Sequence, residues 1–210
     1  MTMWPEADKT QTLLAGAAAG DDGAVNRLFD RHREALRKLV ALRMDRQMAG
    51  RVDASDVVQD VLVEAAGRLR DYLADPKMPF HLWLRALAKD RMIDLHRRNH
   101  AQRRDVGRER PLDARAHLDR SSFNLAAQLR DAELTPAAAA IKEELEQRFW
   151  EAIDTLEDVD REVILMRHAE HLGNNEVAQA LDLTPAAAGM RYLRAIRRLR
   201  AALGGEVLEE

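Results

Sequence analysis

Apolar side chains in the segment from Asp53 to Leu73 recur every three or four residues, which is the spacing of one buried face of an α-helix. The members of this apolar stripe are Val57, Val58, Val61, Leu62, Ala65, Leu69 and Tyr72. Asp53 stands where a helix N-cap is expected, since its carboxylate can accept a hydrogen bond from an unpaired backbone N–H. Helical spacing continues through most of the chain, runs of β-branched residues are nearly absent, and aromatic residues make up only 4%. The sequence therefore predicts an all-α fold.

Two helices are predicted before this segment. Residues 1–9 are expected to be loosely structured. Thr10 is expected to cap a short first helix, because threonine is a favoured N-cap residue. Asp21 and Asp22 offer the N-cap of a second helix, in which apolar residues keep helical spacing to about Met44. These helices predict a small helical bundle in the N-terminal half.

A basic helix is predicted from Pro79 to Arg104. Its proline suits the first helical turn, since the missing N–H would have no partner there. The apolar stripe of this helix comprises Phe80, Trp83, Leu84, Leu87, Ala88 and Leu95. The remaining face carries seven basic residues, namely Arg85, Lys89, Arg91, Arg97, Arg98, Arg103 and Arg104. Only two acidic residues oppose them, Asp90 and Asp94.

The charge of this helix has two interpretations. A charged helix face is often only solvated surface. Here the basic excess stands in a chain whose formal net charge is −3, and Phe80 and Trp83 place aromatic rings beside it. Aromatic rings next to cations suit unstacked bases, so nucleic-acid contact is favoured. Core packing is the alternative role of Trp83, because large aromatic residues are usually buried.

The C-terminal half predicts a second helical domain. Residues 105–134 show no sustained apolar face and are interpreted as a long linker. Helix starts are predicted at Thr135, Asp158, Asn175 and Thr184. The last two helices form a helix-turn-helix pattern. The final helix carries five arginines with no acidic residue among them, Arg191, Arg194, Arg197, Arg198 and Arg200. Its predicted buried side consists of Leu193, Ile196, Leu199 and Leu203.

Composition disfavours several function classes. The chain has no cysteine, so it has no disulfide, thiolate nucleophile or cysteine-based zinc site. The pairs His96/His100 and His168/His171 have spacings that can hold a metal. However, no glutamate follows His96 as in helical zinc hydrolases, and there is no glycine-rich phosphate loop. We therefore predict no enzyme, no metal and no cofactor.

The sequence shows no membrane or export signal. No apolar stretch approaches the length of a membrane span. The N-terminus, MTMWPEADKT, lacks the basic and then apolar pattern of a signal peptide. A cytoplasmic protein with no membrane span is therefore expected.

Three stretches resemble bacterial RNA polymerase sigma factors of the extracytoplasmic-function class. Residues Asp53–Ala65, DASDVVQDVLVEA, are similar to the polymerase-binding helix of that family. Residues Pro79–Arg98 are similar to the helix that melts and reads the promoter element near the start site. Residues Leu156–Leu203 look like the domain that reads the distal promoter element. The resemblance implies two small helical domains, with sigma region 2 in 10–104, a linker in 105–134 and sigma region 4 in 135–205.

The resemblance also implies partners and site residues. Core RNA polymerase would be bound by Asp56, Gln59, Asp60 and Leu62. The start-proximal promoter element would be contacted by Lys77, Trp83, Lys89, Arg97 and Arg98. The loop Leu73–Pro79 would receive an extruded base. The distal promoter element would be contacted by Thr184, Ala187, Arg191, Tyr192, Arg194 and Arg198. An anti-sigma factor or another regulator is a further expected partner.

The chain departs from the family pattern at two places. Residues 187–189 are Ala-Ala-Gly where the family often has Thr-Val-Lys, so Arg191 and Arg194 are expected to carry more of the base readout. Gly173 stands where a capping serine is usual, which weakens the start of the first helix of the helix-turn-helix motif.

Two alternatives remain open at the level of sequence. Acidic residues in the first turns of a helix also favour its dipole, which explains Asp53 and Asp56 without a partner. A helix-turn-helix regulator that binds palindromic duplex DNA without polymerase is the alternative function, with the N-terminal helices as a dimerisation or sensing domain.

Overall fold

The computed structural model describes residues 3–44, 52–106, 144 and 148–203. No strand occurs in these ranges, and the predicted all-α class is confirmed there. The chain divides into two compact units, the first within Met3–Asp119 and the second within Arg120–Glu210. Apart from residues 105–106, which are helical, the predicted linker lies outside the described residues. Within the described ranges, none of the helices has the length and apolar character that crossing a membrane requires.

The described part of the first unit holds four helices, α1 (Ala7–Ala18), α2 (Asp22–Arg43), α3 (Ala54–Ala74) and α4 (Phe80–Val106). The predicted stripe of α3 is confirmed in full, because all seven of its residues are buried. Asp53 is the N-cap as predicted, and its Oδ1 accepts a hydrogen bond of 2.7 Å from the backbone N–H of Ser55. Through this stripe α3 packs against α2 and α4.

The start of α1 differs from the prediction. The helix begins at Ala7, so Thr10 is not its cap, and the Thr10 hydroxyl instead donates to the Glu6 carbonyl at 3.1 Å. Trp4, which was expected in a loose segment, is 6% exposed, and its ring centroid lies 5.6 Å from that of His81. This long-range contact orders the chain before the helix. Capping residues alone do not indicate it, so they place the start of α1 too late.

Phe80 lies at the centre of the core of the first unit. Its ring centroid lies 5.0 Å from that of His32, 5.5 Å from that of Tyr72 and 6.4 Å from that of Phe29. Aromatic pairs at these separations stabilise a core beyond the area they bury. The cluster joins the first turn of α4 to α2 and to the end of α3.

The two faces of α4 differ in part from those predicted. Pro79 precedes the helix, and its carbonyl accepts hydrogen bonds from the N–H groups of Leu82 and Trp83, which places the proline at the N-cap. Leu82 and Met92 are buried core residues that the predicted stripe lacks. Arg85, which spacing assigned to the cationic face, is buried. The buried arc is wider than one stripe because α4 packs against both α2 and α3.

The described part of the second unit holds helical residues 148–154, α5 (Asp158–His168), α6 (Asn174–Ala180) and α7 (Pro185–Ala202). One core cluster consists of Ala152, Ile153, Leu156, Ile164, Ala195 and Leu199. Leu193 and Leu203, predicted on the buried side of α7, are 47% and 46% exposed, so this part of the prediction is wrong. The buried arc of α7 is narrow and centred on small Ala188 and Ala195. The predicted helix start at Thr135 lies outside the described residues.

A buried arginine joins α5 to the helix before it. The Nε of Arg161 donates to the Ile153 carbonyl at 3.3 Å, and its Nη2 donates to the carbonyls of Asp154 and Leu156 at 3.2 and 3.4 Å. The last carbonyls of a helix lack partners within that helix. The guanidinium of Arg161 therefore caps the end of helical residues 148–154.

The predicted helix-turn-helix is formed by α6 and α7. Asp182 in the turn has a φ of 54°, a left-handed conformation that aspartate tolerates better than most residues. Thr184 is the N-cap of α7 as predicted, and its Oγ1 accepts from the Ala187 N–H at 3.1 Å. The amide of Asn174 donates to the Pro185 carbonyl at 2.8 Å, which ties the starts of the two helices together.

The start of α6 is held without the usual serine. The backbone N–H of Gly173 donates to Oε2 of Glu176 at 2.7 Å. This is the carboxylate half of a capping box, in which the third helical residue reaches back to the N-cap. The glycine offers no side-chain oxygen of its own, and Glu176 offsets part of that loss.

Candidate functional site

Three of the four predicted polymerase-binding residues lie on an exposed strip of α3. Asp56, Gln59 and Asp60 are exposed, and we call these three residues the acidic strip. The fourth residue, Leu62, is 4% exposed and belongs to the core of the unit. Leu62 therefore supports α3 from the core side, while the acidic strip forms the surface.

Arginines of two neighbouring helices contact the acidic strip. Gln59 Oε1 accepts a hydrogen bond of 3.2 Å from Nη1 of Arg33 in α2. Asp60 forms an ion pair with Arg91 of α4. Exposed ion pairs contribute only about 0–1 kcal/mol, so the contacts orient these side chains more than they stabilise the fold. The pair with Asp60 also removes Arg91 from the cationic face predicted for α4.

Val63 extends the surface of the acidic strip, and it was not identified as a surface residue from the sequence. It is 63% exposed. It follows Asp56 by seven positions and Asp60 by three, so it lies on the same face of α3. Gly67, four positions after Val63, is also exposed, and the space beside its Cα is open, with no atom within 4 Å of the position that a Cβ would occupy. The spacing from the acidic residues was a signal that could have placed Val63 on this surface.

The loop between α3 and α4 is held by Tyr72. The Tyr72 hydroxyl donates to the Met78 carbonyl at 2.9 Å, and burial raises the pKa of Tyr72, which keeps the hydroxyl protonated as a donor. Lys77, a predicted DNA contact, is exposed in this loop, with its Nζ 3.6 Å from Oδ2 of Asp75. Trp83 stacks on Tyr72 and is partly exposed. Part of the indole therefore remains accessible beside the loop.

The cationic face of α4 is smaller than predicted. Its three predicted DNA contacts remain on the surface, since Lys89 is partly exposed and Arg97 and Arg98 are exposed. Arg97 Nη1 lies 3.9 Å from Oδ1 of Asp94, one turn earlier. The side chains of residues 103–104 lie outside the described part of the chain. A short basic stretch therefore remains for a phosphate backbone to follow.

Two arginines of α7 that were predicted to contact DNA are paired with a buried acid. The side chain of Asp160 in α5 is only 3% exposed. Nη1 of Arg198 donates to Oδ2 of Asp160 at 2.6 Å, and Nη1 of Arg191 donates to Oδ1 at 3.4 Å. The same Arg198 nitrogen lies 3.1 Å from Oε1 of Glu157. No acidic residue stands among these arginines within α7, as the sequence shows, but Asp160 of α5 and Glu157, its N-cap residue, supply negative charge from outside the helix.

Tyr192, another predicted DNA contact, packs against α5. Its hydroxyl is hydrogen-bonded to Nε2 of His168 at 2.9 Å. The guanidinium carbon of Arg167 lies 5.4 Å from the centroid of the Tyr192 ring, a cation–π contact. Burial, with the charges of Arg167 and His171, lowers the pKa of His168. Among the residues that the structure describes, no group of three or more histidine, aspartate or glutamate side chains could hold a metal ion.

The outward face of α7 combines arginine with apolar side chains. Arg194 is exposed and forms no ion pair with any acidic residue in the described ranges. Met190 is 56% exposed and Leu193 is 47% exposed. Leu193 and Arg194 follow Met190 by three and four positions, so each lies beside Met190 on the helix surface. Ala187 is partly buried at the start of the same helix.

Comparison with known proteins identifies both units. The family model for sigma-70 region 2 matches residues 28–102, and the model for sigma-70 region 4 matches residues 146–199. The ECF RNA polymerase sigma factor SigD of Mycobacterium tuberculosis is 26% identical over 200 residues, which cover 95% of this chain and 85% of SigD. RNA polymerase sigma factor CnrH of Cupriavidus metallidurans is 31% identical over 207 residues, covering 97% of this chain and 98% of CnrH. This chain belongs to the sigma-70 family, in the extracytoplasmic-function class.

Solved structures agree with this assignment. CnrH in complex with the cytosolic domain of CnrY matches with a TM-score of 0.58 at 26% identity, over 95% of this sigma factor and 99% of that chain. The sigma factor RpoE of Bartonella quintana, in complex with the anti-sigma factor NepR, matches with a TM-score of 0.52. That match has 17% identity and covers 86% of this chain and 97% of RpoE, so it supports the fold alone.

The two family models match different parts of this sigma factor, and each part contains its own set of predicted site residues. The region 2 match runs from within α2 into α4 and includes the acidic strip and the Tyr72 loop. The region 4 match includes helical residues 148–154, the Asp160 cluster and the helix-turn-helix. Each group of predicted site residues therefore falls within the region to which the sequence assigned it.

Proposed function

We propose that this sigma factor binds core RNA polymerase and directs promoter-specific transcription initiation. The observation that carries the proposal is that the region 2 and region 4 matches fall in different compact units, each with exposed basic residues on a helix. We assign region 2 to residues 10–104, with α1 extending it to Ala7, the linker to 105–134 and region 4 to 135–205. The role is regulatory and not catalytic.

Core polymerase is proposed to dock on the acidic strip and Val63. The carboxylates attract a basic partner surface and set its orientation. Val63 supplies exposed apolar area that would be removed from water in the complex. Arg33 and Arg91 already orient Gln59 and Asp60, so less side-chain entropy is lost on docking.

The start-proximal promoter element is proposed to bind along α4 and the loop before it. Lys89 is partly exposed, and Arg97 and Arg98 are exposed. These side chains can therefore reach phosphates of the DNA backbone. Lys77 adds positive charge at the loop. The accessible part of Trp83 offers a surface for an unstacked base, and extrusion of that base costs a few kcal/mol, which contacts in the whole complex must offset.

The distal promoter element is proposed to lie on the outward face of α7. Arg194 is exposed there and can read guanine bidentately in the major groove, a contact worth about 1–3 kcal/mol of discrimination. Met190 and Leu193 beside it offer apolar contacts for the methyl group of thymine. Thr184 and Ala187, at the start of the helix, are proposed to border the same groove.

A regulatory protein is proposed as a further partner. The relative CnrH was solved with the cytosolic domain of CnrY. This sigma factor leaves Val63 and Leu193 exposed on the two surfaces assigned to polymerase and DNA. A regulator that covers either apolar side chain would compete with the corresponding partner.

Run-off transcription tests the proposed function. Purified core RNA polymerase is supplied with genomic fragments, with and without this protein. We expect discrete transcripts from a subset of fragments that appear only when the protein is added. A transcript pattern identical to that of core enzyme alone, over all fragments, would contradict the proposal.

A further inference from the structure

We propose that Asp160 is an internal counterion that withholds Arg191 and Arg198 from promoter DNA. The recognition helix α7 would then present its positive charge to DNA through the other three arginines, Arg194, Arg197 and Arg200. The inference rests on the proposed function, since it assigns roles to side chains within the proposed distal-element surface. It replaces the roles that the sequence predicts for Arg191 and Arg198.

Both oxygens of the Asp160 carboxylate are engaged. Oδ2 accepts from Arg198 at 2.6 Å, and Oδ1 accepts from Arg191 at 3.4 Å. Arg198 also lies 3.1 Å from the carboxylate of Glu157. The carboxylates of Asp160 in α5 and of Glu157, the N-cap residue of α5, thus balance the two arginines of α7, and the cluster has no formal net charge at pH 7.

Burial makes this pairing hard to exchange for DNA phosphates. The Asp160 side chain is 3% exposed, whereas the side chains of Arg191 and Arg198 are 29% and 49% exposed. An ionised carboxylate that is cut off from water and loses its partners is strongly destabilised. An arginine that moved from Asp160 to a phosphate would leave this buried carboxylate with one cationic partner fewer. The exchange is therefore unfavourable even though phosphate attracts arginine.

The other arginines of α7 differ in both exposure and pairing. Arg194, Arg197 and Arg200 are exposed, and none of them pairs with an acidic residue in the part of the chain that the structure describes. They follow one another at three-residue spacing, so their side chains are neighbours on the helix surface. They are the residues that can neutralise phosphates without uncovering a buried acid.

The salt dependence of binding separates the two groups of arginines. Each phosphate that a protein neutralises contributes about −0.9 to the slope of log K against log salt concentration. The wild-type protein and variants are combined with core polymerase, and binding to a promoter fragment recovered by run-off transcription is measured over a range of salt concentrations. Adjacent residues provide the matched pair, Arg197→Ala and Arg198→Ala.

We expect Arg197→Ala to make the slope less steep by about 0.9 and Arg198→Ala to leave it unchanged. We expect Asp160→Asn to make the slope steeper by about 0.9, because the amide no longer holds Arg191 by charge. If Arg198→Ala does not fold, Arg198→Gln takes its place, since glutamine retains a hydrogen-bond donor for Asp160. A constant inactive fraction changes log K equally at every salt concentration and leaves the slope intact.

Failure of the inference is distinguishable from failure of the proposed function. A slope reduced as much by Arg198→Ala or Arg198→Gln as by Arg197→Ala overturns the inference, as does a slope that Asp160→Asn does not change. In both cases the wild-type protein still directs transcription. A wild-type protein that gives no promoter-dependent transcript overturns the proposed function and the inference with it.

Discussion

The phenol ring of Tyr72 stacks on the indole of Trp83, with ring centroids 4.7 Å apart and an angle of 27° between the planes. Tyr72 lies at the end of α3, and Trp83 lies in the first turn of α4. The hydroxyl of the same tyrosine donates to the Met78 carbonyl in the loop that joins these helices. One side chain therefore fixes both the loop and the aromatic residue proposed to meet a melted base.

Replacing Tyr72 with phenylalanine tests the role of the loop. Tyr72→Phe keeps the stacked ring but removes the donor to the Met78 carbonyl, so we expect a loss of about 1 kcal/mol in the free energy of unfolding. We also expect less promoter melting by the holoenzyme, measured as permanganate reactivity of thymines near the start site, because the loop is less well ordered.

Thr12→Val is the matched control for Tyr72→Phe. Thr12 also donates a side-chain hydrogen bond to a backbone carbonyl, that of Asp8 at 3.1 Å, and the substitution removes it. Thr12 is exposed in α1, and it is far from the loop in the sequence. It should leave permanganate reactivity unchanged. Equal reactivity of Tyr72→Phe and wild type would show that the loop hydrogen bond has no part in melting.

Reversing the charge of Asp60 tests the acidic strip. We expect Asp60→Lys to lose most retention of core polymerase in a pull-down, because a basic partner surface would then face a cation. Its melting temperature should change little, since the pair with Arg91 is largely exposed on the Asp60 side. Arg91→Gln breaks the same ion pair without changing the strip and should retain core polymerase. Normal retention by Asp60→Lys would remove the assignment.

The sequence predicts the local features of this fold well and its long-range pairs poorly. The α3 stripe and the caps at Asp53 and Thr184 were confirmed, because helical spacing and capping depend on residues close together in the chain. The pairing of Asp160 with Arg191 and Arg198 joins residues 31 and 38 positions apart, and no local pattern indicates it. Such pairing decides which basic residues remain available to a partner.

The other wrong predictions concern which side chains are buried. Spacing identifies the centre of a buried face but not its width. The arc of α4 is wide enough to bury Leu82 and Arg85, while that of α7 is narrow enough to expose Leu193. Trp4 was misassigned because its contact partner His81 is distant in the chain.

Truncating Arg194 tests base readout by α7. We expect Arg194→Ala to weaken binding of the holoenzyme to the preferred distal element by about 1–3 kcal/mol and to relax selectivity at one base pair. The measurement compares affinities for a set of promoter fragments that differ at single positions. Arg200→Ala, near the end of the helix, should weaken binding similarly for all fragments. The same uniform loss for Arg194→Ala would show that it contacts phosphate only.

Buried His32 predicts a pH dependence of stability in the first unit. Burial, with the nearby charges of Arg31 and His81, lowers the pKa of His32 to about 4, while its hydrogen bond to the Leu28 carbonyl acts in the opposite direction. The unfolded chain binds this proton below about pH 6.5, and the folded protein does so only near pH 4. The free energy of unfolding should therefore fall by about 3 kcal/mol as the pH decreases from 6.5 to 4, and this contribution should then level off.

Urea unfolding followed by tryptophan fluorescence measures this effect. Both the parent and His32→Leu carry Trp150→Phe, so that the signal comes from Trp4 and Trp83 of the first unit. We expect the variant to show a flatter dependence on pH between 6.5 and 4, whatever its absolute stability. If the free energy of unfolding depends on pH in the same way in the two proteins, the lowered pKa of His32 does not contribute to stability.

Promoter binding with and without core RNA polymerase tests the central claim most directly. A gel shift uses one promoter fragment recovered by run-off transcription, at equal concentrations of this protein in both arms. We predict a shifted band that depends on core polymerase and little or no shift by the protein alone. A protein that binds the duplex equally well without polymerase, or that core polymerase fails to retain, would contradict the account.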